Sequence, residues 1–183
     1  MKSLAHRTSA GVSLLRFCVY NAICFVLAGV AAAQTAPGFT IVVLPDTQYY
    51  SESYPNILKS QMQWIVANAS ALNVRAVLGL GDIVNNGSSS TEWTTADAAY
   101  KMLDSAHIPY FAAIGNHDYD NNNPPGRTSA AKSFNNYFGP SRYRSSYWSS
   151  PYWISSFPAG SNENFYGVLN VNSQPYLIMA LEF

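Results

Sequence analysis

Three short segments gather most of the side chains that could do chemistry. They are Asp46-Thr47-Gln48, Gly81-Asp82 and Gly115-Asn116-His117-Asp118. Carboxylates and amide carbonyls are donors for hard or borderline divalent cations, and a carboxylate such as Asp82 can bridge two of them. An isolated aspartate after a strand is usually no more than a solvated turn residue. The spacing changes that reading. Asp46, Asp82 and Asn116 follow one another at 36 and 34 residues, about one strand–helix–strand unit each.

The segments between them read as such units. Phe39–Leu44 is a short, β-branched apolar run that stops at Pro45-Asp46. Leu58, Met62, Ile65, Ala69 and Leu72 then recur at helical spacing. Val74–Leu80 is a second apolar run, ended by Gly81-Asp82, and Gly87-Ser88-Ser89-Ser90 marks a loop. Ser89 with Glu92 has the form of a capping box, opening a second helical stripe at Trp93, Ala96, Tyr100 and Leu103. Tyr110–Ile114 is the third run, ended by Gly115-Asn116. Apolar strands alternating with amphipathic helices predict a parallel sheet, and polar sites in such sheets collect at the carboxyl ends of the strands. All three donor segments are expected on one rim. His107, beside Ile108-Pro109, falls on the opposite side of the third strand, where it reads as a helix-end histidine favoured by the helix dipole.

The first 33 residues are read as a secretory signal peptide. Lys2, Arg7 and Arg16 precede or border an apolar stretch, Phe17–Val30, followed by Ala31-Ala32-Ala33. The stretch is shorter than a membrane span and Asn21 interrupts it, so no stable span is expected after cleavage. Residues 34–183 then form one domain in a secreted or periplasmic protein. Cys18 and Cys24 both lie in the leader, which leaves the mature chain no disulfide framework and no thiolate ligand. Ten basic residues less the leader's three, against ten acids, leave a mature charge of −3. With no basic stripe, a nucleic-acid-binding patch is not expected.

Beyond Asp118 the texture changes. Asp118–Arg127 is rich in Asn, Pro and Gly and reads as a loop. Residues 134–166 carry eleven aromatics among Ser, Asn, Gly and Pro and read as an irregular surface insertion packing on itself. Phe165–Val171 and Tyr176–Phe183 look like two strands joined in a hairpin by Asn172-Ser173-Gln174-Pro175.

The order Asp-x-Gln, Gly-Asp, Gly-Asn-His-Asp resembles that of the calcineurin-like metallophosphoesterases, and most closely their secreted bacterial-type members reading Leu-Pro-Asp-Thr-Gln at the first motif. The resemblance runs from Phe39 to Phe183 and is sharpest at Val43–Tyr49, Leu80–Gly87 and Ile114–Tyr119. It implies an α/β (α+β) fold, a β-sandwich flanked by helices, of which this chain supplies the amino-terminal βαβαβ portion. It implies a centre of two divalent metal ions (Mn, Fe, Zn or similar). Asp46, with Gln48, would bind the first ion, Asp82 would bridge, and Asn116 would bind the second through its amide oxygen. His117 would be catalytic, facing the substrate and protonating the leaving oxygen. Many relatives carry Asp-Arg where this chain has Asn85-Asn86, the Asp orienting the histidine and the Arg holding phosphate. Asn85 and Asp118 are therefore candidates for orienting the residues that touch metal or substrate. The family completes its site with a later His and a Gly-His-x-His motif, absent from residues 1–183. The chain is accordingly expected to be an incomplete, weakly active part of a secreted phosphoesterase acting on phosphate mono- or diesters, in small or macromolecular substrates. The contrasting expectation is a non-catalytic relative that binds glycan or peptide through residues 134–166, with Tyr147, Trp148, Tyr152 and Trp153 as contacts.

Overall fold

The computed structural model describes residues 38–121, 130–144 and 152–182. The leader 1–33 with its two cysteines, much of the loop 118–127, and Tyr147 and Trp148 lie outside the described residues. The described chain is a mixed α/β fold. β1 (Thr40–Leu44), β2 (Val74–Gly79) and β3 (Tyr110–Ala112) form a parallel sheet in the order β1-β2-β3. α1 (Gln48–Glu52) and α2 (Pro55–Asn68) connect the first pair of strands, and α3 (Ser90–Ser105) connects the second. α4 (Lys132–Phe138) and α5 (Pro140–Arg144) follow. The described chain ends in an antiparallel sheet of β4 (Trp153–Phe157), β5 (Asn164–Val171) and β6 (Gln174–Ala180), with β5 in the middle. No described helix is long and apolar enough to cross a membrane.

The two long helices form where the apolar stripes predict, and their ends follow local chemistry. Pro55 opens α2, where its missing N–H costs nothing. Leu58, Met62 and Ile65 are buried, but α2 ends at Asn68, so Leu72 lies beyond the helix and is exposed. The cause is a left-handed residue, Asn73 (φ 50°): its N–H bonds to the Ser70 carbonyl and that of Val74 to the Ala69 carbonyl. α3 ends in the same way. His107 takes the left-handed position (φ 55°), its N–H on the Asp104 carbonyl, and Ile108 N–H reaches back to Leu103. This paired closure satisfies the last helical carbonyls before the chain turns into the next strand. It also places His107 at the amino-terminal edge of the sheet, exposed.

The segment after residue 130 corrects the sequence reading. Its described part is not irregular, because it contains two helices and a strand, and several of its rings are core. Phe134, Phe138 and Tyr143 are fully buried and Trp153 is 7% exposed. Phe138 and Tyr143 pack against the rings of Tyr100 and Tyr110. On the other face of β3, the Phe111 ring stacks on Phe165 at 6.1 Å, and Gly167 leaves room for Phe111. Sheet therefore packs on sheet while α3 covers the opposite face. The hairpin is tighter than predicted. Asn172 and Ser173 alone make the turn, both at positive φ as a two-residue type I′ turn requires, and Gln174 and Pro175 already belong to β6.

Arg142 on α5 ties these layers together. Its guanidinium donates to Asp97, to Asp104 at 2.8 Å, to the Tyr137 carbonyl at 3.1 Å and to the Tyr110 hydroxyl. It also lies over the Phe138 ring. Its side chain is only 11% exposed. Burial opposes ionisation of Asp97, but Lys101 and Arg142 outweigh it and hold its carboxyl below the ordinary 3.8. Replacing Arg142 with alanine is expected to cost about 3 kcal/mol in urea unfolding, because it strands partly buried carboxylates. Asp97→Asn should lower stability at neutral pH. Because the folded carboxyl is depressed, this gap should be full above the ordinary value and close as pH falls through the lowered one, as unfolding curves across that range will show.

Candidate functional site

The strand register brings the three donor segments side by side. Leu44 pairs with Gly79 and Gly79 with Ala112, so the chain leaves all three parallel strands at one level. The segments are then locked together through the backbone. Thr47 N–H donates to the Asp82 carbonyl at 3.0 Å. His117 N–H donates to Asp82 Oδ1 at 2.9 Å. Asp82 thus sits between the first and third segments, in a left-handed conformation (φ 45°) rare for a residue other than glycine.

Two glycines make this approach possible. A Cβ on Gly81 would lie 2.8 Å from Gly115 Cα, and one on Gly115 would lie 2.2 Å from Asp82 Oδ1. Neither space can hold a methyl group. Gly115→Ala should therefore displace Asp82 and cost about 1–3 kcal/mol, measurable by chemical denaturation.

Asp118 fastens the second and third segments from beneath. It is fully buried, and it accepts from Val84 N–H at 3.0 Å and Gly115 N–H at 2.8 Å. Burial pushes its carboxyl up to about 8, helped by the nearby Asp82 charge and opposed by these backbone hydrogen bonds. Thr47 and Ser51, both buried, bring hydroxyls to the Ile83 carbonyl, Ser51 at 2.7 Å.

The side chains named from the sequence are placed as follows. Asp46 is exposed just past β1, and its carboxylate has no hydrogen bond or ion pair among the described residues. Asn116 opens a single 3₁₀ turn, Asn116–Asp118, and is half-buried. Gln48 begins α1, and its Oε1 is buried without a hydrogen-bond partner. His107 stands at the other edge of the sheet, away from this rim. Asn85 does touch the histidine, but through its backbone: His117 Nδ1 lies 2.9 Å from the Asn85 carbonyl oxygen. The Asn85 side chain instead donates to Glu52 Oε1 at 2.8 Å.

No three His, Cys, Asp or Glu side chains converge among the described residues. The donors at the rim are two carboxylates, Asp46 and Asp82, with the amides of Gln48 and Asn116. This oxygen set fits a divalent cation in kind. The orphaned Gln48 carbonyl fits it too, because a buried amide oxygen with no donor costs free energy until something positive meets it.

A family model for calcineurin-like phosphoesterases matches residues 39–177, which takes in the whole rim, the parallel sheet and most of the antiparallel one. The chain belongs to that family. The uncharacterized protein YvnB of Bacillus subtilis (strain 168) is 32% identical over 141 residues, covering 77% of this chain and 10% of its own length. The chain thus spans about a tenth of that relative. The match puts the rim inside a calcineurin-like phosphoesterase domain.

Sequence reading missed Glu92 as part of this site. Its capping-box pattern with Ser89 holds in one direction only: Ser89 Oγ accepts from Glu92 N–H at 3.3 Å. The Ser89 N–H instead goes to the Asn86 carbonyl. The Glu92 carboxylate turns to the loop after Asp82 and accepts from Asn85 N–H at 2.7 Å and Asn86 N–H at 2.9 Å. The signal was the acid three residues after the cap, but its destination depends on a loop that folds back over the first turn of α3.

Proposed function

We propose that this segment forms part of a secreted or periplasmic hydrolase that cleaves phosphate mono- or diesters with the help of two divalent ions. The observation that carries this reading is the Asp82–His117 junction. A carboxylate between two donor segments is hydrogen-bonded to the backbone of a histidine whose ring is itself held by a backbone carbonyl. Asp46, Gln48, Asp82 and Asn116 would hold the ions, with Asp82 shared. When bound, the ions supply Lewis-acid polarisation of the phosphoryl group and neutralise its charge. The protein's own residues supply the rest. The rim glycines let the second and third segments lie directly against each other. Asp118 keeps the second and third segments in register. His117 has its Nδ1 at the Asn85 carbonyl, so Nε2 is the nitrogen that, in the doubly protonated imidazolium, would give its proton to the departing oxygen and leave the ring neutral.

The basic, apolar and small-residue leader supports export. The three donor segments carry no Lys or Arg, which supports a substrate held by metal rather than by an arginine clamp. Binding of glycan or peptide by the aromatic segment is not favoured: of its four proposed contacts, Trp153 is buried and Tyr152 half-buried, while the other two lie outside the described residues.

Asp82→Ala should abolish both Mn²⁺ binding, followed by calorimetry, and hydrolysis of p-nitrophenyl phosphate by the metal-loaded protein. Full activity in that variant would sink the assignment. His117→Ala should lower kcat by about 10²–10⁴-fold while Mn²⁺ still binds.

A further inference from the structure

We propose that Glu92 is a positioning residue for His117, acting through the single peptide group that joins Asn85 to Asn86. This rests on the reading of His117 as the proton donor. The N–H of that peptide, on Asn86, donates to Glu92 Oε2 at 2.9 Å. Its C=O, on Asn85, faces His117 Nδ1 at 2.9 Å. One planar, delocalised group is therefore hydrogen-bonded at both ends, to a carboxylate on one side and an imidazole on the other. A carboxylate on the N–H end increases the negative charge on the carbonyl oxygen and strengthens what that oxygen accepts. The chain has no acid at position 85 to meet the ring directly. The peptide group transmits the influence of an acid seven residues further on.

Several features make the relay specific. Glu92 is 8% exposed, so water competes little for its oxygens. The same Oε2 also takes the Asn85 N–H, which fixes the turn on both sides of the relaying carbonyl. The loop cannot drift. Trp93 Nε1 holds the Gly87 carbonyl at 2.7 Å, and a Cβ on Gly87 would lie 2.0 Å from the Tyr119 carbonyl oxygen. An acceptor at Nδ1 selects the tautomer that carries its proton there and leaves Nε2 as the nitrogen for chemistry.

The test follows the His117 ring by ¹⁵N NMR in the full chain, assigned against His117→Gln. The wild type should show a protonated Nδ1 whose proton exchanges slowly with solvent. Glu92→Gln keeps an oxygen acceptor but removes the charge, so that proton resonance should move upfield while the unfolding midpoint changes little. Glu92→Ala should mix the tautomers. Ser89→Ala, which loses only the helix cap, should lower the midpoint without moving the ring signal. An unchanged ring in Glu92→Gln, or an equal shift in Ser89→Ala, overturns the relay. If Glu92→Ala does not fold, Glu92→Gln decides alone. In the Mn²⁺-loaded protein, Glu92→Gln should reduce kcat about tenfold with KM unchanged. A wild type that binds no Mn²⁺ would overturn the phosphoesterase reading, and the ring signal would still decide the relay.

Discussion

The rim depends on the contact of two backbones. Gly81 and Gly115 approach so closely that neither has room for a single methyl group. That contact lets the Asp82 carboxylate reach the His117 N–H and lets Asp118 hold Val84 and Gly115 at once. The left-handed turn at Asp82 follows from it, since the chain must reverse sharply after β2 to stay against its neighbour. Strain at one residue is held in place by hydrogen bonds from three segments. The site is thus built first from main chain, and the donor side chains are hung from it.

The layers behind the rim are held in a different way. α3 packs its apolar stripe on the parallel sheet, and the antiparallel sheet covers the other face through Phe111 and Phe165. Aromatic rings fill most of the space around β3, which is only three residues long. Arg142 lies among them as a buried cation satisfied on several sides, so the charge orients helices rather than disrupting the core.

What the sequence disclosed follows from range. The strands, the two long helices and the common level of the three donor segments were legible because apolar period and spacing are local signals. Val74–Gly79 and the stripe Trp93–Leu103 lie where their patterns place them. Leu72 misled because the helix stop was written in a left-handed Asn73 rather than in a glycine. The aromatic segment misled for the opposite reason. Phe134, Phe138 and Tyr143 are core residues only because Trp93, Tyr100 and Tyr110 lie opposite them, a fact of the tertiary structure alone. Asp46, Asp82, Asn116 and His117 were visible as motifs, whereas the partners that aim His117 were not. A backbone carbonyl leaves no trace in composition, and Glu92 looked like an ordinary helix cap.

The closures at Asn73 and His107 give the domain two unlike ends. At the rim, each loop hydrogen-bonds to its neighbours, so a change of length in one would dislocate the others. At the opposite edge each turn closes on its own helix, and the Asn73 turn also holds the start of β1, with Asn73 Nδ2 on the Gly38 carbonyl and Thr40 Oγ1 on the Leu72 carbonyl. The two ends are separated by the length of β2, roughly 20 Å at about 3.3 Å per residue. Extra segments grafted at the lower turns would lie a strand's length from the chemistry. Such a scaffold can be elaborated from below while its working edge keeps one fixed length.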